Sequence, residues 1–135
     1  MRRVLIIDDN FANRQLLIEL LTGNFVCEVA VNGLEAKEAY RLSLDKDRTY
    51  DLILLDIAMP DVDGIEVLRA IREDENKRKI PLGDGVPIIM VTAHEAEFMK
   101  AFQGGCDDYI LKPIDPPILF QKIEKLLEGR KRNSK

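Results

Sequence analysis

The chain has 135 residues, 46% hydrophobic and 33% charged, with 20 basic and 24 acidic side chains and a formal net charge of −4. That length supports one compact domain with little left over for a second. The mild acidity argues against a direct nucleic-acid surface, which usually carries a basic footprint, and no apolar stretch approaches membrane-spanning length.

The aliphatic run Val4–Ile7 predicts a first strand, and Asp8 and Asp9 end it too soon for a signal peptide. Leu17, Leu20 and Leu21 form an apolar stripe between Asn10 and Gly23, which are expected to cap the two ends of a helix. Val26–Ala30 predicts the second strand, with Cys27 inside it. Asn32 and Glu35 have capping-box spacing, and Ala36, Ala39 and Tyr40 then supply one apolar helix face. Leu52–Leu55 reads as a third strand, and Asp63 with Glu66 repeats the cap before Ile65, Leu68 and Ile71.

From Glu73 to Val86 the chain is first charged and then carries Pro81, Gly83 and Gly85. This is longer than the usual connection, and it predicts either a tolerated surface insertion or a partner-specific contact. Ile88–Val91 is the fourth strand. Phe98, Ala101 and Phe102 mark a helix ended by Gly104 and Gly105, and Tyr109–Leu111 is the fifth strand. Asp115 and Pro116 open a last helix with Leu119, Ile123, Leu126 and Leu127 inward and Gly129 at its end. The domain is thus expected to span residues 1–129, and residues 130–135 to form a frayed basic tail. Cys27 and Cys106 have no CxxC partner or nearby histidine, so buried free thiols in a reducing cytoplasm are expected.

Strands alternating with helices imply an α/β fold: a doubly wound, parallel five-stranded sheet with right-handed crossovers and helices on both faces. Ligands of such sheets bind beyond the carboxyl ends of the strands. Asp8 and Asp9 follow the first strand, Asp56 the third, Thr92 the fourth and Lys112 the fifth. Two carboxylates about 4 Å apart repel by roughly 4 kcal/mol at an effective dielectric of about 20. Such a cluster must bind a cation, pair with Lys112 or stay partly protonated. All-oxygen ligands favour Mg²⁺, with Mn²⁺ as a substitute, and the absence of His and Cys disfavours zinc or copper. A carboxylate can also act as a nucleophile toward phosphorus, and Asp56 ends the central apolar run. Each acid alone has a plainer role as a turn or capping residue; their joint placement carries the chemistry.

With these residues placed, the sequence resembles the receiver domain of two-component response regulators. The resemblance runs from Val4 to about Leu127. It rests on Asp8-Asp9, the stretch Asp56-Ile57-Ala58-Met59-Pro60-Asp61-Val62-Asp63-Gly64, Thr92-Ala93 and Lys112-Pro113. It implies the flavodoxin-like strand order 2-1-3-4-5. It also implies that Asp56 accepts a phosphoryl group from a phosphohistidine on a sensor histidine kinase or phosphotransfer protein. Asp9, Asp56 and the Ala58 backbone carbonyl would bind Mg²⁺ directly, and Asp8 through water. Thr92 and Lys112 would hold the phosphoryl group, and Tyr109 would turn inward with Thr92 on activation. The Lys112-Pro113 bond is expected to be cis. Output would leave through the fourth helix, fifth strand and fifth helix, to a protein target if the domain stands alone, or with residues 130–135 as a linker if it belongs to a longer chain.

Tyr109 has the plainer role of a strand aromatic packed for burial. His94 is expected at an exposed helix start, with a possible second use in tuning phosphoryl lifetime at the pocket mouth. Ala58 offers no side chain to orient water, which predicts slow autodephosphorylation by a domain that is not a turnover enzyme. A flavodoxin-like cofactor binder needs a phosphate cradle where Asp8, Asp9 and Asn10 stand. A haloacid-dehalogenase phosphatase needs its acid pair spaced D-x-D straight after the first strand. The full acidic, Thr and Lys set argues against a degenerate, purely protein-binding receiver, whereas a phosphorelay intermediate is equally compatible with these residues.

Overall fold

The computed structural model describes residues 1–59, 62–81 and 83–133, with backbone alone from 130 onward. The aliphatic runs form strands β1 (Arg2–Ile7), β2 (Phe25–Ala30), β3 (Leu52–Asp56), β4 (Ile88–Thr92) and β5 (Asp108–Leu111). All pair in parallel, in the order β2-β1-β3-β4-β5. The interleaved helices are α1 (Phe11–Leu21), α2 (Gly33–Asp45), α3 (Gly64–Lys77), α4 (Phe98–Gly104) and α5 (Pro116–Asn133), with a 3-10 turn at Glu95–Glu97.

Period-two alternation sorts each strand's side chains between two cores. Val4, Ile6, Leu52, Leu54, Ile89 and Val91 face α1 and α5, meeting Leu17, Leu21, Leu119, Ile123 and Leu127. Leu5, Ile7, Ile53, Leu55, Ile88 and Met90 face the other layer, against Ala36, Tyr40, Ile65, Leu68, Ile71 and Ala101. Burying each such aliphatic side chain stabilises the fold by about 1.5–3 kcal/mol, so register is strongly specified.

The predicted N-caps form. Asn10, Asn32 and Asp63 accept hydrogen bonds from the backbone N–H groups of Asn13 (3.0 Å), Glu35 (2.8 Å) and Glu66 (2.9 Å). Gly105 closes α4 in the left-handed conformation at φ 100°, where a Cβ is costly.

Four expectations need correction. Thr22, not Gly23, caps α1: its N–H donates to the Ile18 carbonyl at 2.9 Å, and its hydroxyl reaches the same oxygen. That satisfies the orphan carbonyl without a left-handed residue. Gly129 does not end α5, which continues to Asn133. Arg and Lys are good helix formers, and their charge complements the dipole at a C-terminus; residues 134 and 135 lie outside the described residues. The segment Glu73–Val86 is not all connection, because α3 extends through its first five residues to Lys77; Leu82 lies outside the described residues. Cys27 is only half-buried, since β2 is an edge strand; Cys106 is buried as expected.

The α3 extension has a purpose. Buried Glu75 accepts from Arg72 (2.8 Å) and from the Val86 N–H (2.7 Å). Arg72 also donates to the carbonyls of Gly105 (2.8 Å) and Val86 (2.9 Å) and to Asp107 (3.0 Å). Asp107 in turn accepts from the Ile88 N–H at 2.8 Å. One guanidinium thus ties α3, the start of β4 and the turn into β5 together at the amino end of the sheet.

Candidate functional site

Strand register assembles the opposite edge. Ile7 pairs with Leu55, Asp56 with Val91 and Thr92 with Leu111. The residues at or just after these ends, Asp8, Asp9, Asp56, Thr92 and Lys112, therefore converge. Asp8, Asp9 and Asp56 each offer a carboxylate oxygen within 4.8 Å of the others. Asp8, Asp56 and Thr92 are buried, whereas Asp9 is exposed.

Lys112 is the cation facing the buried acids. Its Nζ lies 3.3 Å from Asp56 Oδ1 and 3.6 Å from Asp8 Oδ2. The Lys112 backbone N–H donates to the Thr92 carbonyl at 2.8 Å, and the Lys112-Pro113 bond is cis, as expected. Asp56 Oδ1 also accepts from the Ala58 N–H at 3.3 Å. Burial, and then the charge of Asp8, push the Asp56 carboxyl up from 3.8 to about 6, against the pull of Lys112 and the Ala58 N–H. One lysine does not compensate the buried acids, so the site favours a further cation. An all-oxygen donor set of this kind fits Mg²⁺.

Thr92 and Tyr109 make their contacts with other partners. The Thr92 hydroxyl accepts from the His94 N–H at 3.0 Å, and the exposed His94 precedes the 3-10 turn. Tyr109 is half-buried, with its ring against Phe98 and Phe102 of α4 and the Lys122 ammonium 4.5 Å above it. Ala58 is exposed; Pro60 and Asp61 of the acidic-strand motif lie outside the described residues.

Three contributors escape a reading by residue type. The Asn10 N–H donates to Asp8 Oδ1 at 2.9 Å, and Arg14 donates to the Asp8 carbonyl at 2.9 Å. Gly64 packs so closely that a Cβ there would lie 2.1 Å from the Asp56 carbonyl oxygen. Only Gly64 left a signal, as the last residue of the Asp56 motif.

A family model described as the response regulator receiver domain matches residues 4–124. The chain belongs to the response regulator receiver domain family. It is a phosphoacceptor receiver domain of two-component signalling, and its acidic edge gathers three carboxylates that could share a metal ion. This receiver domain is 40% identical over 125 residues to hybrid signal transduction histidine kinase I of Dictyostelium discoideum, covering 90% of the chain but 7% of that kinase. It is 35% identical to the polar-differentiation response regulator DivK of Brucella anthropi, covering 93% of the chain and 96% of that protein. Among solved structures, the receiver domain of the Pseudomonas aeruginosa sensor histidine kinase PA1611 superimposes with a TM-score of 0.77 at 26% identity, covering 94% of this chain and 98% of that one. That structure holds a magnesium ion in its active-site cleft. Among the described residues no helix is long and apolar enough to cross a membrane.

Proposed function

We propose that Asp56 is the phosphoacceptor and that a sensor histidine kinase or a phosphotransfer protein supplies the phosphoryl group. An Asp56 carboxylate oxygen attacks phosphorus, the phosphorus–nitrogen bond of the donor phosphohistidine breaks, and its electron pair returns to the imidazole. Lys112, 3.3 Å from Asp56 Oδ1, balances charge on the transferring group, and the Thr92 hydroxyl turns its proton from the His94 carbonyl to a phosphoryl oxygen. Asp9, Asp56 and the Ala58 carbonyl would hold Mg²⁺, assisted by Asp8, and Mn²⁺ would substitute for it. The bound cation supplies electrostatic neutralisation of the phosphoryl oxygens.

The observation that carries this assignment is the placement of Asp56. It is the buried carboxylate at the end of the central strand, beside Lys112 and within metal-sharing distance of Asp8 and Asp9. Its carboxyl, at about 6, is still largely ionised at neutral pH and so remains a competent nucleophile. Output passes from Thr92 through the 3-10 turn to Tyr109 and the face formed by α4, β5 and α5. Exposed Met99, Phe102 and Ile118 there suit a protein target. The domain acts as a stoichiometric cytoplasmic switch with slow autodephosphorylation, not as a turnover enzyme.

Incubation with a small-molecule phosphodonor and Mg²⁺, followed by intact mass measurement, tests the assignment. A single phosphoryl adduct is expected, absent in Asp56→Asn and in excess chelator. An adduct that persists in Asp56→Asn moves the acceptor elsewhere, and no adduct with any donor leaves a protein-binding module.

A further inference from the structure

We infer that Arg14 is a positioning residue for the metal-binding acids, acting through the peptide bond that joins Asp8 to Asp9. This rests on the assignment of those acids as the Mg²⁺ ligands.

Arg14 sits in the first turns of α1, partly buried, with its guanidinium 5.7 Å from the Phe11 ring centroid. A cation this close to an acidic cluster ordinarily pairs with a carboxylate. Arg14 instead donates to the backbone carbonyl of Asp8 at 2.9 Å, and among the described residues it makes no ion pair. The gripped carbonyl belongs to the Asp8–Asp9 peptide, whose planarity carries the constraint directly to the Asp9 backbone.

The remainder of the turn is held at separate points. The Asp8 N–H donates to the Ala30 carbonyl at 3.2 Å, and Asp8 Oδ1 accepts from the Asn10 N–H at 2.9 Å. Asp9 is different: it is exposed, and among the described residues no hydrogen bond or ion pair holds its carboxylate. The backbone thus fixes only where its Cβ projects, and Arg14 holds that backbone from the helix side. By binding the carbonyl and not a carboxylate, Arg14 orders the turn without itself occupying a carboxylate oxygen. The contact is of the outer-shell kind, in which a partner orients a ligand without touching the metal.

The opposing expectations differ in sign. If Arg14 acted only as a nearby positive charge, removing it would tighten Mg²⁺ binding by relieving repulsion. If it positions Asp9, removing it weakens binding, by about tenfold on the scale of other outer-shell substitutions. The test is Mg²⁺ titration calorimetry on the full chain for wild type, Arg14→Met, Arg14→Lys and Asp9→Asn. Thermal midpoints and amide hydrogen exchange of residues 8–10 are measured without metal. Expected are about tenfold weaker binding in Arg14→Met, partial rescue in Arg14→Lys, and faster exchange confined to residues 8–10. Binding in Arg14→Met equal to or tighter than wild type, with Asp9→Asn impaired, overturns this inference alone. Wild type and Asp9→Asn behaving alike overturns the metal assignment beneath it. Should Arg14→Met fail to fold, Arg14→Lys decides, since it keeps the helix and the charge but not the guanidinium geometry; wild-type affinity there overturns the inference.

Discussion

The two ends of the sheet solve opposite electrostatic problems with similar residues. At the amino end, Glu75 and Asp107 are satisfied by Arg72 and by backbone N–H groups, and Arg3 joins Glu28 beside the Tyr50 hydroxyl. At the carboxyl end, buried Asp8 and Asp56 share Lys112 at 3.6 and 3.3 Å, and the Asp56 carboxyl is pushed up to about 6. One end is closed and serves stability. The other is left short of positive charge, which suits it to a bound cation. Carboxylate content does not separate the two; the number of donors that the backbone and neighbouring cations supply does.

The largest expected effect comes from breaking the shape of the open end. In Gly64→Ala the new Cβ would lie 2.1 Å from the Asp56 carbonyl oxygen and 2.8 Å from Ile57 Cα. These are backbone atoms that cannot swing aside, so a loss of about 3 kcal/mol or more is expected. Gly23, with nothing within 4 Å of its would-be Cβ, is the control; its alanine variant should stay within about 1 kcal/mol of wild type. Urea unfolding measures both. Equal midpoints for the two variants would show that the turn after β3 has room to move.

Next comes the closed end. Arg72→Met keeps the aliphatic stem but strands a buried Glu75 carboxylate and removes a donor from the Gly105 and Val86 carbonyls. Removing one partner from a buried pair costs about 3 kcal/mol, again read from urea midpoints. Phosphoryl acceptance, at the far edge, should be retained in whatever fraction is folded. A variant that kept wild-type stability would mean that the Val86 N–H and solvent are enough for the Glu75 carboxylate.

Asp56→Asn is expected to act in the opposite direction. The Asp56 carboxyl titrates near 6 in the folded chain against 3.8 as its ordinary value. Between these pH values the folded state binds the proton more tightly, so stability falls as pH rises from about 4 to 6. Each pH unit is worth at most about 1.4 kcal/mol, and water entering the site reduces that. In chelator at pH 8 the asparagine variant should therefore be more stable than wild type by about 1–3 kcal/mol. The gain should vanish below about pH 4, where the unfolded carboxyl is protonated too. Saturating Mg²⁺ should narrow it by stabilising wild type selectively. A wild type more stable than Asp56→Asn at pH 8 without metal would mean that Lys112 alone neutralises the site.

How much of this contrast was legible in the sequence follows from what each end depends on. Strand periodicity placed Asp8, Asp56, Thr92 and Lys112 at one edge, because parallel strands of similar length begin and end in register. The caps Asn10, Asn32 and Asp63 were legible because they are local. The Arg72 network was not: its partners Gly105 and Asp107 stand 33 and 35 residues away, and no residue type marks such a contact. The same holds for the grip of Arg14 on a main-chain carbonyl, which leaves no pattern in side-chain chemistry. Gly129 misled because its freedom resembles a helix stop, while the basic residues after it favour continuing the helix.

The smallest effect expected is kinetic and confined to the open end. Ala58 is exposed beside Asp56, and its only polar contribution toward that side chain is its N–H, 3.3 Å from Asp56 Oδ1. A methyl group cannot orient a water molecule for in-line attack on an aspartyl phosphate. Ala58→Asn adds an amide that can hold such a water without crowding the core, so stability should change by less than about 0.5 kcal/mol. The phosphoryl group should then be lost faster, by up to about tenfold, equivalent to about 1.4 kcal/mol in the barrier. The decay of the phosphoryl adduct by intact mass, compared at equal Mg²⁺, measures it. An unchanged decay rate would mean that water reaches the phosphorus unassisted, so that lifetime is set by Lys112 and Thr92 and not by the residue at position 58.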